Sequence, residues 1–129
     1  MFQALSTQQE STAKAIVNIA FNIHKKLGPG LLESVYEKCF CYELEQRSID
    51  YGRQIFVPIR YNDLVIDDGL RLDLLIDESI IVELKAQENY HPVWEAQLHS
   101  YLQLTGHRLG FLINFHVPLI KDGIKRIIH

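Results

Sequence analysis

Asp73, Glu83 and Lys85 combine residue types and a spacing that could support chemistry, within a segment at 71–85 that reads RLDLLIDESIIVELK. Two apolar runs flank the polar triplet at 77–79, and this pattern is typical of a β-hairpin. With a three-residue connection at the triplet, Asp73 lies directly opposite Glu83. A two-residue turn would put the two carboxylates on opposite faces and bring charge into the core. The pattern therefore predicts a hairpin with Asp73, Glu83 and Lys85 on one face.

Two carboxylates in this arrangement need a cation or a proton between them. Directly opposed residues have Cβ atoms roughly 5 Å apart, and ionised carboxylates held that close repel each other. Mg²⁺ binds carboxylate oxygens at about 2.1 Å and keeps several waters, so Asp73, Glu83 and a substrate phosphate oxygen would form a suitable shell. Lys85 would direct its charge at the same place. We therefore expect Mg²⁺ (or Mn²⁺) as the cofactor.

The two faces of the predicted hairpin differ in composition. The second face adds Leu75 and Ile81 to its charged residues. If that face is merely solvated, its charges only pair with one another. Leu75 and Ile81 favour a covered face instead, where a charge is costly and is more often functional. Both interpretations remain open at this point. The first face is wholly apolar and is expected to face the core: Leu72, Leu74, Ile76, Ile80, Val82 and Leu84.

Length and composition predict a single domain spanning 1–129. The chain is 47% hydrophobic and 22% charged, and no apolar run reaches the length of a membrane span. The amino terminus lacks the pattern of a secretory signal, so we expect a cytoplasmic protein. Cys39 and Cys41 are expected to be reduced packing residues. The formal net charge of −3 is unlike that of most nucleic-acid-binding domains, which weakens but does not exclude that function.

A first helix is predicted to start at Ser6 or Thr7, where Thr7 and Glu10 have the spacing of a capping box. The glycines and proline at 28–30 end it. Its buried face is predicted from the helical spacing of Ile16, Ile19, Ala20, Ile23 and Leu27.

A second helix is predicted from about Leu31 to Arg47. Glu33 falls in its first turn, where the helix dipole favours a carboxylate for purely structural reasons. Tyr36 lies three residues further along the same face, and a tyrosine at this spacing is usually a core residue with a solvated hydroxyl. The helix is expected to bury some of Leu32, Val35, Cys39, Phe40 and Leu44.

Alternating apolar residues at 51–61 predict a strand, which Pro58 makes an edge strand or an irregular one. Turn residues at 62–63 and 67–69 lead into the hairpin. A later strand at 109–115 is expected to run parallel to the second strand of the hairpin, because a helix separates the two. The tail at 117–129 fits either a strand or a short helix.

Pro92 and Gly106 delimit that intervening helix, with Pro92 predicted at its first helical position. Gln97 and Tyr101 are four residues apart and therefore share one face. Trp94, Leu98 and Leu102 form a neighbouring stripe that is expected to pack on the sheet.

Three motifs together resemble those of a known superfamily. Asp73 followed by Glu83-Leu84-Lys85 resembles the D-x(n)-E-x-K signature of the PD-(D/E)XK nuclease superfamily, and Gln97 with Tyr101 resembles the QxxxY helix of its exonuclease-type branch. Residues 30–36, GLLESVY, match the GxxExxY motif that names a family of small proteins in this superfamily. The likeness extends over nearly the whole chain, although Leu72 replaces the proline of the signature.

The resemblance implies an α/β protein with a restriction-endonuclease-like core, in which helices flank a mixed central β-sheet. It implies that Glu33 and the paired carboxylates converge on one metal site, and that the lysine lies beside the scissile phosphate. The site residues it implies are Asp73, Glu83 and Lys85 for catalysis, Glu33, Asp73 and Glu83 for the metal, and Gln97, Tyr101 and Tyr36 for positioning the substrate.

We therefore expect a metal-dependent phosphodiesterase that acts on DNA or RNA and has no membrane partner. The acidic charge and small size favour an alternative, a nucleic-acid or nucleotide binding module without turnover. A regulatory subunit with a nuclease-like fold is the third hypothesis. A homodimer is expected, because so small a core offers little surface for gripping a duplex.

Overall fold

The computed structural model describes residues 4–129. Within that range the elements follow the expected order of two helices, three strands, a helix and a return to the sheet. A short 3-10 helix, Ile120–Asp122, precedes the last strand, so the tail contains both of the structures left open by its sequence. The helices are α1 (Thr7–Leu27), α2 (Glu33–Gln46) and α3 (Val93–Thr105), and the strands are β1 (Tyr51–Tyr61), β2 (Leu64–Ile76), β3 (Ile80–Lys85), β4 (Leu109–Asn114) and β5 (Ile124–Ile128).

The five strands form one mixed sheet in the order β1-β2-β3-β4-β5. Neighbouring strands are antiparallel except β3 and β4, which are parallel and are joined through α3. The predicted crossover and the predicted fold class, a mixed sheet flanked by helices, are both confirmed.

Helices cover both faces of the sheet. α1 and α2 pack on one face against a cluster that includes Ile80, Val82 and Leu84. α3 covers the other face through Trp94, Leu98 and Leu102, as predicted from their spacing. These three residues pack in a second cluster with Leu70, Leu72, Ile81, Leu112 and Ile127.

The hairpin between β2 and β3 has the predicted register. Ile76 pairs with Ile80, and the ladder continues to Leu74 and Val82. The three-residue connection turns through left-handed conformations at Asp77 (φ 55°) and Glu78 (φ 54°). The odd loop inferred from the alternation of side chains therefore sets Asp73 against Glu83.

The expectation that Leu72 faces the same core as Leu74 is wrong. Leu72 packs in the α3 cluster, whereas Leu74 packs against α1 and α2. The alternation breaks because the rung between them is irregular: Gln54 of β1, which lies across from Asp73, has φ 51°. One distorted rung thus moves the rest of the strand to the other face.

The helix starts also differ in detail from the sequence analysis. The capping box consists of Ser6 and Gln9, since each side chain accepts the other residue's backbone N–H, and Glu10 instead pairs with Arg126 at 2.6 Å. α2 begins only at Glu33, so Leu32 lies outside the helix. Leu32, one of the residues of which some were expected to be buried, is 73% exposed, and Leu27 at the end of the apolar stripe of α1 is 40% exposed.

The predicted turn at 62–63 is present, but the one at 67–69 is not. Val57 pairs with Leu70 and Ile59 with Ile66, so β2 contains two extra residues that bulge within the strand. Glycine is needed there because a Cβ on Gly69 would lie 2.5 Å from Ile59 Cγ1.

The ends of α3 follow the sequence signals, with a shift of one residue at its start. Pro92 is the N-cap and not the first helical residue, and Gly106 ends the helix with φ 80°. Cys39 and Cys41 are both free thiols, as expected. Across residues 4–129, no helix is both long enough and apolar enough to cross a membrane.

Candidate functional site

The backbone ladder between β2 and β3 stops where Asp73 and Glu83 meet. The Leu84 amide donates to Asp73 Oδ2 at 2.9 Å, and the Asp73 amide donates more weakly to Glu83 Oε1 at 3.4 Å. Each carboxylate therefore accepts a hydrogen bond from a backbone amide of the opposite strand, as a backbone carbonyl would in a regular ladder. This exchange fixes both side chains at the point where the strands part.

Burial makes the charge on this carboxylate pair costly. Glu83 is only 5% exposed. Its burial, followed by the charge of Asp73 and a hydrogen bond between the two carboxyl groups, raises the pKa of Glu83 to about 9, against the opposing effects of the Asp73 backbone hydrogen bond and Lys85. Without a cation, Glu83 therefore holds a proton at neutral pH. A bound cation would take the place of that proton.

The ammonium group of Lys85 rests on an aromatic ring. Its Nζ lies 5.5 Å from the centroid of the Trp94 ring, and Tyr90 supports that ring edge-on at 5.3 Å. Within residues 4–129 no carboxylate lies within 4.0 Å of Lys85 Nζ. A cation–π contact thus orients the lysine while leaving its charge unneutralised. The spacing of Trp94 predicted only its packing on the sheet and gave no sign of this contact.

Glu33 reaches the same region from the start of α2. The pKa of Glu33 is raised, first by burial and then by the charge of Asp73, while Lys85 and Arg71 lower it. Even so, no three His, Cys, Asp or Glu side chains in the described part of the chain are close enough together to hold a metal ion. Glu33 therefore lies near the carboxylate pair without completing a three-ligand cage.

Glu37 is a neighbour of the site that was not predicted from the sequence. It is 8% exposed, accepts a hydrogen bond from Gln54 Nε2 at 2.6 Å, and lies 3.6 Å from Arg53. The contact holds the distorted Gln54 rung against which Asp73 lies. Glu33 and Glu37 repeat at helical spacing, and such a like-charge pair is unfavourable on a helix surface. The spacing of these two glutamates was the signal in the sequence that could have revealed Glu37.

A direct substrate contact by Tyr36 is not compatible with its position, and we correct that prediction. Tyr36 is fully buried, and its ring stacks on Phe115 with centroids 4.3 Å apart. Its hydroxyl donates to the Gly28 carbonyl at 2.6 Å and accepts from the Leu31 amide at 3.2 Å. Tyr36 thus holds the loop that precedes Glu33.

Gln97 and Tyr101 lie together on α3, and Tyr101 is close enough to the carboxylate pair for their charges to affect its pKa. Gln97 Nε2 donates to the Tyr101 hydroxyl at 3.0 Å. The pKa of Tyr101 is raised by burial and then by the charges of Glu83 and Asp73, so the phenol stays protonated and can donate a hydrogen bond. Gln97 is exposed to solvent. Their roles with a substrate remain predictions.

Comparison with known protein families identifies the class of this chain. Residues 10–127 match the family model of the PD-(D/E)XK nuclease superfamily, so the chain belongs to that superfamily. Comparisons with curated proteins and with solved structures find no match. Nucleases of this superfamily generally use divalent metals, and nucleic acid is the substrate that membership implies.

The donor set at the parting strands fits such a metal. Asp73 and Glu83 supply hard oxygen ligands, and Mg²⁺ sites commonly have one or two protein carboxylates, with water and substrate oxygens as the other ligands. The proton that Glu83 holds in the cation-free state marks where positive charge is missing. Two carboxylates without a third ligand therefore suit an ion that shares its shell with a phosphate.

Proposed function

We propose that this protein is a metal-dependent phosphodiesterase that cleaves DNA or RNA. The observation that carries the proposal is the buried carboxylate pair of Asp73 and Glu83 at the end of the β2–β3 ladder, where the pKa of Glu83 is raised to about 9. Such a pair is unfavourable unless a cation or proton joins it. Lys85, two residues along the same strand face, brings a positive charge to the same end of β3, and no carboxylate among residues 4–129 lies within 4.0 Å of its Nζ.

In this proposal Asp73 and Glu83 hold Mg²⁺ or Mn²⁺, and Glu33 approaches from α2 as a further ligand. When bound, the ion would supply Lewis acidity and lower the pKa of a water molecule. The protein's own contribution is to hold two carboxylates in fixed positions. Backbone amides of Asp73 and Leu84 do this by donating to the carboxylate oxygens.

Lys85 would stabilise negative charge that develops on the phosphoryl oxygens. A donor fixed in position before the reaction needs no reorganisation, and removing one such donor typically costs about 10²–10³ in rate. The Trp94 ring beneath Lys85 provides that fixed position without neutralising the ammonium.

Tyr101 and Gln97 would bind a phosphate next to the scissile one. Because the Tyr101 hydroxyl accepts from Gln97, its own proton is directed away from the amide and is available to a phosphate oxygen. This pair of donors would fix the register of the strand being cut.

We also propose the finer assignment to the GxxExxY group within the superfamily. Gly30 adopts a left-handed conformation with φ 94°, Glu33 starts α2, and Tyr36 anchors the loop between α1 and α2. The three motif positions therefore act together to present one carboxylate. This supports the motif as a structural unit and explains why its tyrosine is buried.

A homodimer, with the chain as a single domain, remains our prediction for the assembly. A nuclease core of 129 residues has limited surface for a duplex, and a second copy would enlarge it. Light scattering should give twice the mass of one chain at micromolar concentrations. The mass of a single chain at every concentration would contradict the prediction.

A binding module without turnover is the second candidate function. It is favoured by the incomplete ligand set, because no three metal-binding side chains within residues 4–129 lie together. The acidic net charge of −3 favours weak or selective binding as well.

One assay separates the two candidates. Labelled single-stranded and duplex DNA and RNA are incubated with the protein in Mg²⁺, in Mn²⁺ and in EDTA, with Lys85→Ala as the matched control. The phosphodiesterase proposal expects metal-dependent product from at least one substrate and none with the variant. Retention of nucleic acid with product no higher than the variant's background would support the binding module instead.

A further inference from the structure

The β1–β2 hairpin continues beyond the site as an arm, residues 56–71, whose two strands pair only with each other. Several of its large apolar side chains are exposed, and Phe56 is 60% exposed. Phe56 pairs directly with Arg71, two residues before Asp73. Directly paired residues point to the same side of a ladder with Cβ atoms about 5 Å apart. A solvent-facing aromatic ring and a guanidinium therefore lie side by side, two residues along β2 from Asp73. They are on the side of the sheet from which α2 brings Glu33, because their neighbours Val57, Leu70 and Leu72 pack toward α3.

Arg71 is close to the site without being neutralised by it. It is exposed and lies on the same strand as Asp73, two residues before it. Yet within the described residues no carboxylate lies within 4.0 Å of it. An exposed arginine with this freedom can bind a phosphate through two parallel hydrogen bonds.

Negative charge predominates in the rest of the arm. Its outer part carries Asp63, Asp67 and Asp68 against a single Arg60. This outer part would repel a phosphate backbone, whereas Arg71 would attract it. A nucleic-acid strand reaching the carboxylates would therefore pass Phe56 and Arg71 and not the arm's tip.

We propose that Phe56 and Arg71 form a subsite for one unpaired nucleotide beside the phosphodiester held at Asp73 and Glu83. The Phe56 ring stacks on the base and Arg71 binds its phosphate. Stacking on an aromatic side chain needs an exposed base face, which single strands offer and the interior of a duplex does not. The inference rests on the proposed function and deepens it, because it makes single-stranded nucleic acid the preferred substrate class.

Binding of fluorescein-labelled oligonucleotides of about 12 residues tests the subsite by anisotropy in Ca²⁺, with single-stranded and duplex forms of one sequence. Phe56→Leu keeps an apolar side chain but removes the ring, and should weaken single-strand binding about tenfold. Arg71→Gln should lower the slope of log K against log salt by about 0.7. The matched controls Tyr61→Leu and Arg60→Gln replace an aromatic residue and an arginine near the tip and should bind as the wild type does.

A second variant, with tryptophan at position 56, reports binding at the subsite by fluorescence. Phe56→Trp should retain binding, and its indole emission should be quenched by unlabelled single strands and not by duplex. Tyr61→Trp, at the tip, should show no quenching. Trp94, the chain's single native tryptophan, is buried and common to both variants.

The outcomes separate this inference from the proposed function. If the wild type binds single strands but Phe56→Leu and Arg71→Gln bind equally well, the subsite is wrong while the nuclease proposal stands. If Phe56→Leu changes the molecular mass in solution but not oligonucleotide binding, the ring belongs to an interface between copies. If no oligonucleotide binds the wild type, both proposals fail together.

Discussion

The two faces of strand β3 carry different kinds of residue within six positions. Ile80, Val82 and Leu84 point into the core beneath α1 and α2, and all are fully or almost fully buried. On the face toward α3, Ile81 is buried in the second cluster, but Glu83 and Lys85 follow it. The charged residues occupy the end of the strand, where the ladder to β2 stops. One strand thus contributes to folding on one side and to the candidate site on the other.

The difference shows where this protein gives up stability. On the α1–α2 face every side chain lowers the free energy of the folded state by leaving water, at about 25 cal/mol per Å² of apolar surface. On the α3 face a carboxyl group is buried beside another one, and both the burial and the neighbouring charge raise the pKa of Glu83. Sites that bind charged ligands commonly retain such unfavourable groups.

Lys85→Ala should reduce activity without reducing stability. Cleavage should fall at least about 10²-fold, because a fixed cation is lost from the site. The melting temperature should change little, since Lys85 is at the end of its strand and is only half-buried. Rates on the preferred substrate and a thermal melt measure the two effects. Full activity in this variant would remove Lys85 from the mechanism.

Ile80→Ala should have the opposite effect, a loss of stability with little change in activity. Truncating a fully buried isoleucine typically costs about 2–5 kcal/mol, because the cavity left behind collapses only partly. Urea unfolding measures this loss, and cleavage per folded molecule should stay near that of the wild type. Strong loss of activity in a fully folded Ile80→Ala sample would mean that the two faces are not independent.

Predictions from the sequence were correct where no tertiary contact overrode the local pattern. The three-residue connection and the alternation of apolar residues were enough to set Asp73 against Glu83, and Gly106 ended its helix as expected. Register follows from such local rules because a slip of one residue would bury charge.

Tertiary contacts explain what the sequence did not reveal. The turn signal at 67–69 was absorbed as a bulge because the neighbouring strand β1 continued past it. Leu72 changed faces at the distorted rung of Gln54, whose side chain donates to Glu37, and the Tyr36 hydroxyl binds the backbone of a loop. Trp94 met Lys85 only through the packing of α3. None of these partners is near in sequence to the residue it affects, apart from Tyr36 and its loop.

The pH dependence of stability should sharpen the comparison for Glu83. Its folded pKa of about 9 lies above the ordinary value of 4.5, so between these values the folded state binds more protons than the unfolded state. The contribution of Glu83 is therefore most favourable below the ordinary value and is lost as pH rises toward 9. In EDTA, Glu83→Gln and the wild type should have the same melting temperature near pH 5. The melting temperature of the variant should then exceed that of the wild type by a margin that grows toward pH 9. A margin that does not grow with pH would contradict the burial of an ionisable pair.

The most direct test of the account is the thermal response of the protein to Mn²⁺, which requires no substrate. An ion bound only by the folded state adds about 2.7 kcal/mol at a hundredfold excess over its dissociation constant, which is several degrees for a domain of this size. Asp73→Asn keeps an oxygen that can accept the Leu84 amide but removes one negative charge. We expect the wild type to melt several degrees higher in millimolar Mn²⁺ than in EDTA, and Asp73→Asn to melt slightly higher than the wild type in EDTA with no response to Mn²⁺. Identical melting of the wild type with and without Mn²⁺, or a full response in Asp73→Asn, would show that Asp73 and Glu83 are not a metal site.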